Sequence, residues 1–328
     1  MQHFTRDVSV APVYRIAALP WPLAFLRWAS KIKSKRWKRR ILKKLLPFLG
    51  QAIPCCWPKA EGVIELYGKP AKFRAANLQF VHQFIDASPY EMESLRVAEI
   101  LLGVDGVFFD IGSNWGYFAH AIAGNSQFQG QVHAFELEAE TFGDLLSLKN
   151  QWRHDKLTVH HLAISAGSGE AASENTSWDS GGKRIAAGKG IKRARLDDLN
   201  LPAPALTKID VEGHEAEVLQ GAEKLLRAHK PAILIENLYT TKNLKEKFLP
   251  LKLLREWGYH FFLPCWQIMA EGMPVFTFDL ALAKNGDKAT LALVPTRPED
   301  RLLYDNVNLN VVAIHTEKLT NISAIFNK

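Results

Sequence analysis

The chain has 328 residues, 47% of them hydrophobic, and a net charge of +7 at pH 7. That is enough to bury one sizeable α/β core with additions, and length alone allows two domains. Three cysteines, Cys55, Cys56 and Cys265, are too few and wrongly spaced for a disulfide framework or a four-ligand zinc site, so a reducing compartment is expected.

The positive charge sits in residues 1–60, read as an N-terminal arm. Between Val8 and Ala60 there are twelve lysines and arginines and no acid, so the remainder of the chain is net acidic. Trp37, Ile41, Leu42, Leu45, Leu46 and Leu49 recur at helical spacing and set an apolar stripe against a basic face. The apolar run Ile16 to Trp28 is too short to span a bilayer and is broken by Pro20 and Pro22. It does not read as a signal peptide, because the basic cluster follows the apolar run. Three partners suit this arm: an anionic membrane surface meeting residues 16–49, the chain's own body or a second copy in a homodimer, and nucleic acid. An apolar stripe is not what a phosphate-tracking surface requires, so nucleic acid is the weakest of the three. The expected location is cytoplasmic, peripheral on the inner face of the membrane.

Residues 61–103 read as a unit of their own. Glu61 to Ala76 alternates apolar and polar residues about Tyr67-Gly68-Lys69, as a hairpin does. Ser88 and Pro89 then suit the cap and first position of a helix running to about Leu102. Residues 104–328 form the main domain. Strands are expected at 107–111, 131–136, 157–161, 205–210, 231–236 and 259–263, with helices at 115–124, 139–150, 213–227 and 242–257. This alternation means a parallel sheet with crossover helices. The Gly-, Ser- and Lys-rich stretch from Ser165 to Arg193 suggests a short hairpin or loop near the site. Residues 266–303 read as an irregular insertion, and Leu309 to His315 as a final edge strand.

The most informative stretch is Gly106 to Phe118, a buried strand, a turn with Gly112 and Gly116, and the opening of a helix. Glu136 ends the next strand, where it can accept hydrogen bonds from both ribose hydroxyls of a nucleoside. Gly112-x-x-x-Gly116 differs from the G-x-G-x-x-G of pyrophosphate binders, which favours S-adenosylmethionine over NAD. Ligands of open α/β sheets bind beyond the carboxyl ends of the strands, so Asp110, Glu136, Asp210 and Glu236 should rim one crevice.

Five motifs in order, Asp110-Ile-Gly-Ser-Asn-Trp-Gly-Tyr117, Phe135-Glu136, Leu196-Asp-Asp-Leu199, Lys208-Ile-Asp-Val-Glu-Gly-His-Glu215 with Gly221-Ala222, and Glu236, resemble the FkbM family of S-adenosylmethionine-dependent methyltransferases. The resemblance covers residues 61 to 264. It implies an α/β, class I, Rossmann-like fold: a mostly parallel seven-stranded sheet with helices on both faces, here with the basic helical arm added. It implies a cofactor site of Asp110, Gly112, Asn114, Gly116 and Glu136, with Ala163 beside the adenine. It also implies an O-methyltransferase acting on a hydroxyl of a saccharide, glycolipid or secondary metabolite. Trp115 replaces the family's smaller aliphatic residue and is expected to alter the pocket wall.

A sugar hydroxyl is a poor nucleophile and gains from a base or a metal ion. Asp210, Glu212 and His214 are the catalytic candidates, with His214 as general base or as an orienting residue of the loop. Asp210, Glu236 and Asn237 offer three oxygens on adjacent strand ends, a layout similar to the metal site of catechol-type O-methyltransferases and suited to Mg²⁺ or Mn²⁺. Against this, Asp210 could hold the cofactor's amino group and Glu236 could cap a helix. Two rivals remain: a methyltransferase of RNA or other nucleic acid using the arm, and a non-catalytic scaffold. The Asn/Asp-Pro-Pro-aromatic motif of amino methyltransferases is missing where Asp210-Val-Glu-Gly213 stands.

Overall fold

The computed structural model describes residues 3–18, 60–74, 90–175, 183–238, 244–303 and 308–326. In chain order the strands are β1 (Phe4–Ser9), β2 (Tyr14–Ala18), β3 (Glu61–Leu66), β4 (Lys69–Arg74), β5 (Val107–Ile111), β6 (Gln131–Glu136), β7 (Leu157–His161), β8 (Ala163–Ile164), β9 (Gly169–Asn175), β10 (Lys183–Ala194), β11 (Leu206–Ile209), β12 (Ala232–Leu238), β13 (Tyr259–Ala270), β14 (Met273–Thr277), β15 (Lys288–Thr296) and β16 (Asn308–His315). The helices are α1 (Met92–Leu102), α2 (Tyr117–Gly124), α3 (Ala139–Trp152), α4 (Glu215–Gly221), α5 (Glu223–His229), α6 (Leu244–Glu256), α7 (Leu280–Ala283) and α8 (Leu319–Phe326).

The central sheet runs β1-β15-β13-β16-β12-β11-β5-β6-β7, with β14 beside β13. β7, β6, β5, β11 and β12 are mutually parallel. β5, β6, β11 and β12 are buried on both faces along most of their length, as strands covered on both sides must be, while β7 at the edge leaves Thr158 and His161 exposed. Phe108, Val132, Leu206 and Leu234 enter one core with Met92 and Leu95 of α1, Phe118 and Ile122 of α2, Leu145 of α3 and Phe326 of α8. Phe109, Phe135, Ile209 and Ile235 enter the other with Val218 of α4, Leu226 of α5 and Leu254 of α6. Crossovers joining parallel strands leave every one of them ending at the same rim.

The structure departs from the sequence reading at several places. Residues 1–60 are not wholly an appendage: β1 pairs antiparallel with β15 at the sheet edge, and β2 joins β3 and β4 in a separate three-stranded sheet. The helical reading of Ser30 to Leu49, with Cys55 and Cys56, lies outside the described residues, as do Ser88 and Pro89. The helix expected over 213–227 is two, α4 and α5, broken where Ala222 leaves helical geometry at φ −117° and ψ 8°. Residues 266–303 are regular, because the buried run Leu291-Ala292-Leu293 makes β15 a core strand against β13. Residues 309–315 are no edge: β16 lies antiparallel between β12 and β13. Val311, Val312 and Ala313 are all buried, so both its faces are covered. The stretch from Ser165 to Arg193 contains the antiparallel pair β9 and β10, with β8 alongside.

The small sheet packs on α2 and α3. Tyr14 Oη donates to the carbonyl of Tyr117 and Tyr67 Oη to that of Ala121, while Arg74 Nε and Nη2 clasp the carboxylate of Asp144. Trp115 packs into this seam, with ring centroids 5.1 Å from Phe73 and 5.4 Å from Tyr14. It therefore anchors the small sheet. Among the described residues no helix is long and apolar enough to cross a membrane.

Candidate active site

The turn after β5 is built by close backbone approach. Gly112 and Ser113 both donate their N–H to the carbonyl of Phe135 at 3.0 Å, locking the turn to β6. Gly112 has φ +78°, and a Cβ there would lie 1.8 Å from the carbonyl oxygen of Asp210. Only glycine satisfies both the angle and the space. Asn114 is also left-handed at φ 52°, its Oδ1 accepting from Trp115 N–H. At Gly116, φ +91°, a Cβ would meet Leu145 at 2.5 Å.

Glu136 ends β6 and is buried. Its Oε2 accepts from Asn114 N–H at 2.9 Å and its Oε1 from Glu138 N–H at 2.8 Å, which aim the carboxylate along the turn. Burial pushes its pKa up to about 7, against those hydrogen bonds. Asp110, 1% exposed, accepts from Ala119 N–H in the first turn of α2, and its Oδ1 has no partner among the described residues. Burial raises it to about 6. Ala163 is buried in β8 opposite Arg193.

Alternation along the strands puts Asp110, Lys208, Asp210 and Glu236 on one side of the sheet. Lys208 is buried, 4.9 Å above the ring of Phe118, and its Nζ lies 2.7 Å from Asp210 Oδ2. Burial alone would lift Asp210, but the Lys208 ammonium and hydrogen bonds with Glu236 and Lys208 outweigh it and hold the carboxyl below its ordinary range. Glu236 moves the other way, up to about 10, through burial and then the charge of Asp210. The two carboxyls share one proton.

Glu212, left-handed at φ 53°, completes this group: Asp210, Glu212 and Glu236 each bring an oxygen within 4.8 Å of the others. Asn237 was expected here and is not part of it. Adjacent residues of a strand face opposite sides, and the Asn237 amide donates to the carbonyl of Lys247 at 3.0 Å. His214 caps α4, with Nε2 3.0 Å from Ser165 Oγ and Nδ1 3.6 Å from Glu217. Both ring nitrogens thus face the protein, which suits the orienting reading. Burial lowers its pKa despite Glu217. Glu215 folds back to accept from Gly213 N–H at 2.8 Å.

Sequence reasoning missed Tyr90 and Glu91, which lead into α1. The Glu91 carboxylate accepts from Tyr90 Oη and from the Asn310 amide, and it lies close enough to Lys208, Asp210 and Asp110 to interact with all three. The only signal that singles it out is conformational: φ 45°, ψ 36° at a non-glycine residue.

Five neighbouring parallel strands, a glycine turn after β5, an acid ending β6 and the antiparallel β16 between β12 and β13 make up the class I methyltransferase fold. Residues 105–261 match the methyltransferase FkbM domain. The hexuronic acid methyltransferase AglP of Haloferax volcanii is 28% identical over 173 residues, spanning 51% of this chain and 70% of that protein. Among solved structures, methyltransferase FkbM of Methylobacillus flagellatus KT is 17% identical with a TM-score of 0.39. The match covers 67% of this chain and 54% of that one, so about half of the Methylobacillus protein is spanned. A precorrin-6y C5,15-methyltransferase of Geobacter metallireducens GS-15 is 13% identical with a TM-score of 0.36, covering 69% and 90%.

Proposed function

We propose that the protein transfers the methyl group of S-adenosylmethionine to a hydroxyl of a saccharide, glycolipid or related secondary metabolite. One observation carries the reading: the nucleoside-type turn, Gly112 to Gly116 with Glu136, stands at the same strand ends as the carboxyl groups of Asp110, Asp210 and Glu236 and the ammonium of Lys208. Such a wall has little to offer an apolar acceptor and much to offer a polyol. The name of the Haloferax relative, a hexuronic acid methyltransferase, supports a sugar acceptor.

In this reading Glu136 takes the ribose hydroxyls, Asp110 and the backbone of Gly112, Asn114 and Gly116 shape the turn, and Ala163 lies beside the adenine. The unpartnered Oδ1 of Asp110 and the glycine turn locked to the Phe135 carbonyl fit such a group. When bound, the sulfonium supplies an activated methyl group open to in-line attack, and the protein's part is alignment. Lys208 fixes Asp210 at the acceptor side, Glu212 adds a third carboxylate, and His214 holds the Ser165 loop to α4. The test is transfer of labelled methyl from S-adenosylmethionine to a panel of neutral and acidic glycosides. Transfer to RNA and to no glycoside would sink the acceptor class.

A second reading of the same carboxyls is favoured by their spacing. Three carboxylates within 4.8 Å could hold a hard cation such as Mg²⁺ or Mn²⁺, with Glu212 in the place expected of Asn237. The cation would displace the proton shared by Asp210 and Glu236, so calorimetry with Mg²⁺ alone should show proton release. Full turnover in excess chelator would remove this reading and leave the methyltransferase reading standing.

A further inference from the structure

The fold places a residue of unusual conformation within electrostatic reach of Asp210. Glu91 stands at the start of α1 in the left-handed region, which side chains other than glycine, asparagine and aspartate seldom occupy. Its surroundings hold it there. Tyr117 Oη donates to the carbonyl of Tyr90 just before it, and the carbonyl of Glu91 accepts the first helical hydrogen bond, from Leu95 N–H at 2.9 Å. A non-glycine residue fixed in this way is a candidate for function, because strain of this kind persists where the surrounding structure imposes it.

From this position the Glu91 carboxylate interacts with Lys208, Asp210 and Asp110. Four carboxyl groups, those of Glu91, Asp110, Asp210 and Glu236, interact with the single ammonium of Lys208. Acceptors outnumber donors, and Asp110 Oδ1, in a side chain 1% exposed, lacks a partner among the described residues. A ligand that brings O–H donors would complete the set. The other candidate bases are engaged: Asp210 by Lys208 at 2.7 Å and by Glu236, Glu212 by a contact of its own, Glu136 by two backbone amides, and His214 by Ser165 and Glu217. Glu91 is half-buried, and its hydrogen bonds come from two neutral donors, Tyr90 Oη and the Asn310 amide.

We propose that Glu91 is a catalytic residue that accepts the proton of the acceptor hydroxyl, with Tyr90 and Asn310 aiming it. As the acceptor oxygen forms its bond to the methyl carbon, the S–C bond breaks and its electron pair stays on sulfur. The O–H bond breaks in the same process, and the proton passes to the Glu91 carboxylate. Burial raises the Glu91 pKa from its ordinary value, which suits a proton acceptor better than the depressed Asp210. The inference rests on the methyltransferase reading and extends it to the base.

The test uses the full chain and Glu91→Gln, which keeps the size and removes the charge. The glycoside probes are methyl glucuronide and methyl galacturonide. The variant should keep its affinity for S-adenosylmethionine, measured by calorimetry, and its melting temperature. On the glycosides its kcat should fall by about 10²-fold or more, with a smaller change in KM. Glu91→Gly, which relieves the left-handed strain, should melt higher than the parent and be as inactive. A Glu91→Gln protein that melts several degrees lower or binds cofactor markedly more weakly would make Glu91 a structural or cofactor residue and overturn the proposal. Unchanged kcat would overturn it as well. If the parent protein binds cofactor yet methylates neither glycoside, the acceptor reading fails for these sugars. The melting comparison then still decides, because a merely structural Glu91 predicts a lower melting temperature for both variants.

Discussion

Lys208 Nζ sits 2.7 Å from Asp210 Oδ2, and Asp210 is hydrogen-bonded in turn to Glu236, so one ammonium organises two carboxyls of opposite protonation. Removing the ammonium leaves buried charge without its partner, a change that typically costs about 3 to 5 kcal/mol. Lys208→Met should therefore lower unfolding free energy on that scale, and the double variant Lys208→Met/Asp210→Asn should recover part of the loss. A strictly additive double-mutant cycle in urea would show that the two groups are not coupled.

Glu236 gives the same arrangement a pH signature. Its folded pKa, about 10, lies far above its ordinary value, so between the two the folded state holds a proton that the unfolded state has released. Stability then falls as pH rises through that window. Glu236→Gln keeps a hydrogen-bond donor toward Asp210 and does not titrate. The variant should be more stable than the parent at pH 8, and the gap should close as pH approaches the ordinary carboxylate range. Parallel stability curves for the two proteins would refute the shared proton.

Glu136 should couple cofactor binding to pH. Its carboxyl, raised by burial to about 7, is the form that accepts ribose hydroxyls only when ionised to full effect. Affinity for S-adenosylmethionine should rise as pH climbs toward 7 and then level, with proton release on binding below that point. Glu136→Ala should weaken binding by about 1 to 3 kcal/mol and flatten the dependence. Calorimetry in two buffers of different ionisation enthalpy measures both; equal affinity in the variant would remove Glu136 from the site.

The glycine turn makes a contrast between two substitutions. Gly112→Ala puts a Cβ 1.8 Å from the Asp210 carbonyl at φ +78°, where backbone and not a flexible side-chain tip must move. The left-handed conformation costs about 1 to 2 kcal/mol and overpacking a further 1 to 3, roughly, and the shift of Asp210 should abolish cofactor binding. Gly143 lies within α3 with open space around its would-be Cβ. Gly143→Ala should be neutral or stabilise by about 0.5 to 1 kcal/mol. Equal melting temperatures for the two variants would contradict the close approach at Gly112.

Sequence pattern located β5, β6, β11 and β12 well because each is a compact apolar run that meets an acid or a glycine at or near its end. Gln131–Glu136 and Leu157–His161 were read at their observed limits. The same signal failed at β16, where a short apolar run does not say whether neighbours lie on one side or both. It failed again at 266–303, whose strands are separated by the small helix α7 and whose partner β1 lies at the other end of the chain. In the site, the acids at strand ends were legible from position alone, and so was the cofactor turn. Asn237 was misplaced although alternation already set it opposite Glu236. Glu91 was not legible, since its distance in sequence from Asp210 is closed only by the packing of α1, and its backbone angle leaves no mark on composition.

The arm is best tested by a deletion that respects the fold. Residues 4–9 and 14–18 are strands of two sheets, so removing everything to residue 60 would take out β1 and β2. Ala18 pairs with Val63 in β3, close to Ala60, so a short glycine-serine linker can replace residues 19–59. We propose that this segment brings the protein to anionic membranes, since ten basic residues from Arg27 to Lys44 accompany the apolar stripe. The full chain should float with vesicles containing phosphatidylserine or phosphatidylglycerol at low salt and release at about 0.5 M, where the Debye length is short. The linker variant should stay unbound and keep its affinity for S-adenosylmethionine, because no residue assigned to the cofactor lies in 19–59. A full chain that ignores the vesicles, together with a linker variant of altered oligomeric state, would show that the stripe packs on protein.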